Sequence, residues 1–138
     1  MTSIGSQAFF GCTSLTGVYF LGNAPGNGLD TSVFYGDDQA TVYYLPGTLG
    51  WGSTFEGHPT ALWQPILGST GSLGVGTNGF GFNVTWTSGM SVVVDASTNL
   101  DSPAWLPLAT NILTRDSFYF TDPGWTNYPS RFYRARWP

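Results

Sequence analysis

The chain has no lysine, a single cysteine and a single histidine, and each scarcity narrows what it can do. Its fixed cations are Arg115, Arg131, Arg134 and Arg136, set against eight carboxylates for a net charge of −4. Recognition of nucleic acid needs a basic face. Three arginines crowded at the C-terminal end do not supply one, so no nucleic-acid partner is expected. A lone Cys12 cannot form an intrachain disulfide and reads as a buried small hydrophobe. One cysteine and one histidine cannot build a structural zinc site, and neither a metal nor a cofactor is expected. No apolar run approaches the ~20 residues of a membrane span. The residues after Met1 offer neither a basic nor an apolar stretch, so this chain carries no recognisable signal peptide.

What is present is turn and strand material. Hydrophobic residues make up 41% and aromatics 17%, enough for a core, while charged residues are only 9%, well below the ~25% of an ordinary soluble domain. Nineteen glycines and nine prolines punctuate short segments rich in Thr, Ser and aromatics, the composition of strands joined by tight turns. The expected fold class is all-β. A length of 138 residues suits one domain or two small ones. Halves of ~70 residues would each gain from a shared interface.

The N-terminal half repeats itself. Ala8-Phe9 followed by Val18-Tyr19-Phe20-Leu21 is echoed by Val33-Phe34 followed by Val42-Tyr43-Tyr44-Leu45. Phe9 to Phe34 is a step of 25 residues and Val18 to Val42 a step of 24, within the ~20–29 residues of leucine-rich repeats. Ile4, Phe9, Cys12, Leu15, Val18 and Phe20 are spaced to point into one coil.

The run from Ile4 to Val18, Ile-Gly-Ser-Gln-Ala-Phe-Phe-Gly-Cys-Thr-Ser-Leu-Thr-Gly-Val, resembles one unit of the BspA-type leucine-rich repeats of bacterial surface proteins. The second copy departs from that pattern, with Asp37-Asp38-Gln39 where the cysteine and its neighbours would stand and the leucine lost. Such a degenerate copy is what a capping repeat looks like. Trp51, Phe55, Leu62 and Trp63 would complete a capping loop. The resemblance implies the terminal coils of a surface protein, over residues 1–65. A repeat stacks its faces on neighbours, so the face formed by residues 4–20 is expected to be apolar and exposed. A truncated chain that covers it, in a homo-oligomer or against its own second half, is the expectation.

Over residues 66–138 the pattern changes. Gly68 to Gly74 reads as a linker or lead-in strand. Phe80, Phe82, Val84 and Trp86 then alternate with Gly81, Asn83 and Thr85, and Met90, Val92, Val94 and Ala96 continue the every-second-residue pattern after Ser88-Gly89. The pair predicts a hairpin. Further strands are expected at 105–109, 117–121 and 131–137. Together these suggest a small antiparallel β-sandwich of immunoglobulin or fibronectin type. Val92 to Leu100, Trp105, Phe120 to Pro123 and Arg131 to Arg134 resemble a C-terminal module of large secreted proteins from Verrucomicrobia-type bacteria. That resemblance implies export, to the cell surface or beyond, and an accessory role.

Catalysis would have to pass through His58. A hydrolase, esterase or glycosidase, using His58 with a serine such as Ser53 and a carboxylate such as Glu56 is the alternative to a binding module. The stretch Thr70-Gly71-Ser72-Leu73-Gly74 lacks the first glycine of a nucleophile elbow, and His58 before Pro59 reads as a surface or turn residue. Asp95, Asp116 and Asp122 could supply a glycosidase pair but have no positive support. Asp37-Asp38 could hold calcium, although a plain solvated acidic turn is favoured. Arg134 and Arg136, on one face of the last strand, read as outward charges that discourage edge pairing. No catalytic residue is assigned.

The aromatic surplus points elsewhere. Trp51, Trp125 and Tyr128 are the candidate ligand-binding residues, because exposed Trp and Tyr faces make platforms for sugars or protein partners. The sequence therefore predicts a non-catalytic secreted or cell-surface binding and scaffold module, directed at protein or carbohydrate.

Overall fold

The computed structural model describes residues 1–26, 31–68 and 73–138. The chain is essentially all-β, and no α-helix occurs among the described residues. No helix there is long and apolar enough to cross a membrane. Contacts divide the chain into two units, Met1–Trp63 and Gln64–Pro138, a division two residues before the one expected from composition. Most of the predicted linker, Ser69 to Ser72, lies outside the described residues.

In the first unit, β1 (Gly17–Phe20), β2 (Thr41–Tyr44), β3 (Thr54–Phe55) and β4 (His58–Leu62) form one sheet in the order β1-β2-β4-β3. Strands β1, β2 and β4 run parallel, which requires each connection to cross back over the unit rather than turn as a hairpin. The register is Gly17↔Thr41, Val18↔Val42, Tyr19↔Tyr43 and Phe20↔Tyr44, so residues one repeat apart sit side by side.

The loops obey the same step. Phe9 N–H donates to the Val33 carbonyl and Gly11 N–H to that of Tyr35, both at 2.9 Å. Phe9 stacks on Phe34, Phe10 on Tyr35 and Tyr19 on Tyr43, with centroids 4.9 to 5.4 Å apart and rings within 11° of parallel. Gly11 and Gly36 follow the aromatic pair in each copy, both at positive φ (69° and 89°), where a side chain would strain the backbone. Phe20, Val33, Phe34, Val42 and Phe55 form the core, with Ile4, Phe9, Leu15, Val18, Ala24 and Trp51 packed against it.

Three features of this unit differ from expectation. The segment read as a capping loop contains β3 and β4, and β4 adds a third parallel rung through Val42↔Thr60. Leu62 is half exposed rather than covering the core. Cys12 is exposed, not buried.

The third difference has a geometric cause. Cys12 N–H bonds the Phe9 carbonyl and Leu15 N–H the Cys12 carbonyl, while Asp37 N–H bonds that of Phe34 and Ala40 N–H that of Asp37. Cys12 and Asp37 are therefore equivalent positions, as are Leu15 and Ala40. Asp37 is fully buried, with His58 of β4 3.2 Å from its backbone carbonyl. Among the described residues nothing packs over Cys12.

The second unit holds β5 (Ile66–Leu67), β6 (Gly74–Gly76), β7 (Gly79–Thr85), β8 (Ser91–Ser97), β9 (Leu106–Ile112), β10 (Ser117–Asp122) and β11 (Phe132–Arg136). They form two sheets, β10-β7-β5 with β6 also on β7, and β11-β8-β9. All of these pairings are antiparallel. The predicted hairpin of residues 80–86 and 90–96 is not formed, because β7 and β8 belong to different sheets. The Ser88-Gly89 segment passes from one sheet to the other, held by Gly89 N–H to the Leu113 carbonyl at 2.7 Å and Trp86 N–H to that of Asp116 at 2.9 Å. Both strands needed central places: β8 buries six consecutive residues, Val92 to Ser97, and β7 buries Phe82 and Val84. Tyr133 of β11 touches Phe80 and Phe82 of β7 and Phe120 of β10, so aromatic rings link the two sheets.

Candidate functional site

The three aromatic candidates separate. Trp51 stacks on Tyr44 at 5.2 Å, meets Phe20 and Phe55 at 5.0 and 5.2 Å, and donates its indole N–H to Thr48 Oγ1 at 3.0 Å. With its ring and its polar tip engaged, Trp51 serves the core of the first unit. Trp125 and Tyr128 come together in the second unit, around a cleft of about 220 Å³ also lined by Phe80, Arg131 and Tyr133.

The local sequence explains how the cleft is built. Strand β10 ends at Asp122, whose Cα partner on β7 is Phe80. Pro123-Gly124 stops the strand, and Asp122 Oδ1 accepts the Gly124 N–H at 2.9 Å, an Asx-type turn that aspartate favours. A single 3₁₀ turn, Trp125–Asn127, follows and places Trp125 6.3 Å from Phe80, centroid to centroid. The chain then leads through Tyr128 to β11.

Asp122 organises the polar side. It is almost fully buried, and its Oδ2 accepts the Tyr133 hydroxyl proton at 2.9 Å and pairs with Arg131 Nε at 3.0 Å. Burial, together with the hydrogen bond donated to the Asp122 carboxylate, pushes the Tyr133 phenol well above its ordinary range. Tyr133 thus stays a neutral donor at all physiological pH. The Arg131 guanidinium lies over the Tyr128 ring with Cζ 4.1 Å from the centroid. Its charge is balanced by Asp122, and the π-face it covers is closed to a cationic ligand. Among the described residues its two terminal nitrogens have no further partner. Phe80 is stacked on Tyr133 at 5.2 Å.

The other charged candidates are elsewhere. Asp95 is buried within β8, and Arg134 and Arg136 both reach it, Nε to Oδ2 at 2.9 and 2.8 Å. This corrects the reading of the two arginines as merely outward charges: β11 is hydrogen-bonded to β8 with Arg134 opposite Asp95, which turns both side chains onto it. Burial disfavours the Asp95 charge, but hydrogen bonds from Arg136 and Arg134 and their positive charges hold its carboxyl below the ordinary value. Asp116 is exposed.

His58 opens β4 and is half-buried, not a surface turn residue. Its Nδ1 and Nε2 lie 3.2 Å from the backbone carbonyls of Glu56 and Asp37, and its ring meets Phe34 edge-on at 5.3 Å. The solvated-turn reading of Asp37 is also corrected: Asp37 is fully buried and both carboxylate oxygens lack a hydrogen-bond partner, while Asp38 is exposed. No cluster of three or more His, Cys, Asp or Glu that could hold a metal occurs among the described residues. The stretch around Ser72 lies outside them.

Sequence reasoning missed Phe80, Asp122 and Arg131 as partners of Trp125 and Tyr128. One usable signal was the Asp-Pro-Gly turn, which puts a carboxylate just before an aromatic loop. The chain matches no protein-family model, no curated protein and no solved structure.

Proposed function

We propose that this chain is a non-catalytic binding and scaffold module of an exported or cell-surface bacterial protein, directed at carbohydrate. In this reading the first unit is the final leucine-rich coils of a BspA-type solenoid, supported by side-by-side pairing of residues one repeat apart. The second is a compact β-sandwich module, supported by two antiparallel sheets joined through Tyr133. The observation that carries the functional reading is the convergence of Trp125, Tyr128 and Arg131 on one cleft. Aromatic faces suit the apolar faces of sugar rings, and a charge-balanced guanidinium suits their hydroxyls. Residues 64–138 contain Arg115, Arg131, Arg134 and Arg136 against Asp95, Asp101, Asp116 and Asp122, a balance that favours a neutral ligand.

The apolar hollow of about 440 Å³ lined by Ile4, Phe9, Val18 and Phe20, beside the open edge of β1, supports homo-oligomer formation through that face.

The test is binding of the whole chain to an array of neutral and acidic glycans. Trp125→Ala and Tyr128→Ala should each weaken binding about 30-fold, the ~2 kcal/mol of a hot-spot aromatic, without shifting the thermal midpoint. An array on which nothing binds, or binding unchanged in both variants, overturns the proposal.

A further inference from the structure

A second depression, about 120 Å³, adjoins the first and is lined by Ala96, Thr98, Ala104 and Leu106. Tyr128 and Arg131 line both depressions. This cation–π pair is therefore a common wall, with aromatic and polar surface on one side and Ala96, Ser97, Thr98, Ala104 and Leu106 on the other. Each depression alone is smaller than the ~300–1,000 Å³ of typical small-molecule sites, whereas the two together reach that range.

Resting on the carbohydrate reading, we infer that the Tyr128–Arg131 wall separates two sugar subsites. The ligand is then a run of at least two consecutive rings lying across the wall. Arg131 is built for this position. Its side chain is 11% exposed and its Nε is paired with Asp122, and its Cζ lies over the Tyr128 ring, so the guanidinium is held in place before a ligand arrives. Arg131 lines both depressions, so its guanidinium supplies donors suited to the ring and linking oxygens that occur where two sugars join. Leu106, 67% exposed, gives the second subsite an apolar rim.

The experiment compares glucose, cellobiose and cellotetraose, with N-acetylglucosamine and chitotetraose, and mannose and mannotetraose, as parallel series, by calorimetry on the whole chain. In the series that binds, the tetrasaccharide should bind at least tenfold more tightly than its monosaccharide. Ala104→Trp, an exposed loop position whose new ring would fill the second depression, should abolish that gain and leave monosaccharide affinity unchanged. Equal affinity for monosaccharide and tetrasaccharide, or a length gain that survives Ala104→Trp, overturns the two-subsite inference while carbohydrate binding itself stands. Failure of every sugar in all three series overturns the carbohydrate reading and this inference with it.

Discussion

Arg136 Nε lies 2.8 Å from the Oδ2 atom of Asp95, joining an edge strand to the buried centre of its sheet. The two partners are unequally exposed: Asp95 is 1% exposed on its side chain, Arg136 and Arg134 41% and 43%. Removing the arginines strands a buried anion, while removing the anion leaves two cations that water can solvate. Arg134→Ala with Arg136→Ala should therefore cost ~3–5 kcal/mol, and Asp95→Ala only ~1–2 kcal/mol. Urea denaturation measures both, and the reverse order would contradict the asymmetry.

Acid should weaken the same cluster. A carboxyl whose folded-state pKa is depressed stabilises fully above its unfolded value of ~3.9, and that contribution is lost as pH falls through the lower folded value. The stability difference between the parent chain and Asp95→Asn should be constant from pH 7 to 5 and shrink below about pH 4. A difference that grows on acidification would refute the assignment.

Gly81 is a packing requirement. A Cβ built there would sit 2.7 Å from the Phe120 carbonyl oxygen and 2.5 Å from the Tyr119 hydroxyl. The tyrosine can swing away, but the backbone carbonyl of the paired strand cannot. Gly81→Ala should destabilise by ~1–3 kcal/mol, read as a lowered thermal midpoint.

Trp51 and Trp125 should behave oppositely. Trp51→Ala removes a ring packed on Phe20, Tyr44 and Phe55 and should cost ~3 kcal/mol of stability with glycan affinity unchanged. Trp125→Ala should do the reverse. The two variants, measured by thermal melting and calorimetry, separate core from site.

His58 provides the test of hydrolysis. Ester and glycoside substrates should be turned over equally slowly by the parent chain and by His58→Ala. Activity lost with that one substitution would establish the hydrolase alternative.

Sequence periodicity revealed some levels of this structure and concealed others. Phe9/Phe34, Phe10/Tyr35 and Tyr19/Tyr43 recur at one step and stack at that step, because a repeated side chain needs a repeated neighbour. The every-second-residue pattern in Phe80–Trp86 and Met90–Ala96 marked two strands correctly but not their partners: a strand's own pattern does not say which strand lies beside it, and β8 is buried on both faces. Hence the hairpin was expected where the chain changes sheets. Cys12 and Asp37 show the same limit, since equivalent positions differ in burial according to what covers them. Trp51 and Trp125 look alike in sequence, and only neighbours distant along the chain, Phe20 for one and Phe80 for the other, assign their roles.

Charge is divided unevenly between the two units. Asp30, Asp37, Asp38 and Glu56 share residues 1–63 with no lysine or arginine, whereas residues 64–138 are balanced. Dissolved ions damp repulsion and attraction alike between exposed charges lying farther apart than the Debye length, ~10 Å at 0.1 M. Raising ionic strength should thus ease long-range repulsion in the first unit, which has no lysine or arginine to offset its carboxylates, and weaken the longer-range attraction among the opposite charges of the second. The 2.8–2.9 Å contacts to buried Asp95 should change little. Added sodium chloride becomes a dial that shifts local opening of the two units in contrary directions.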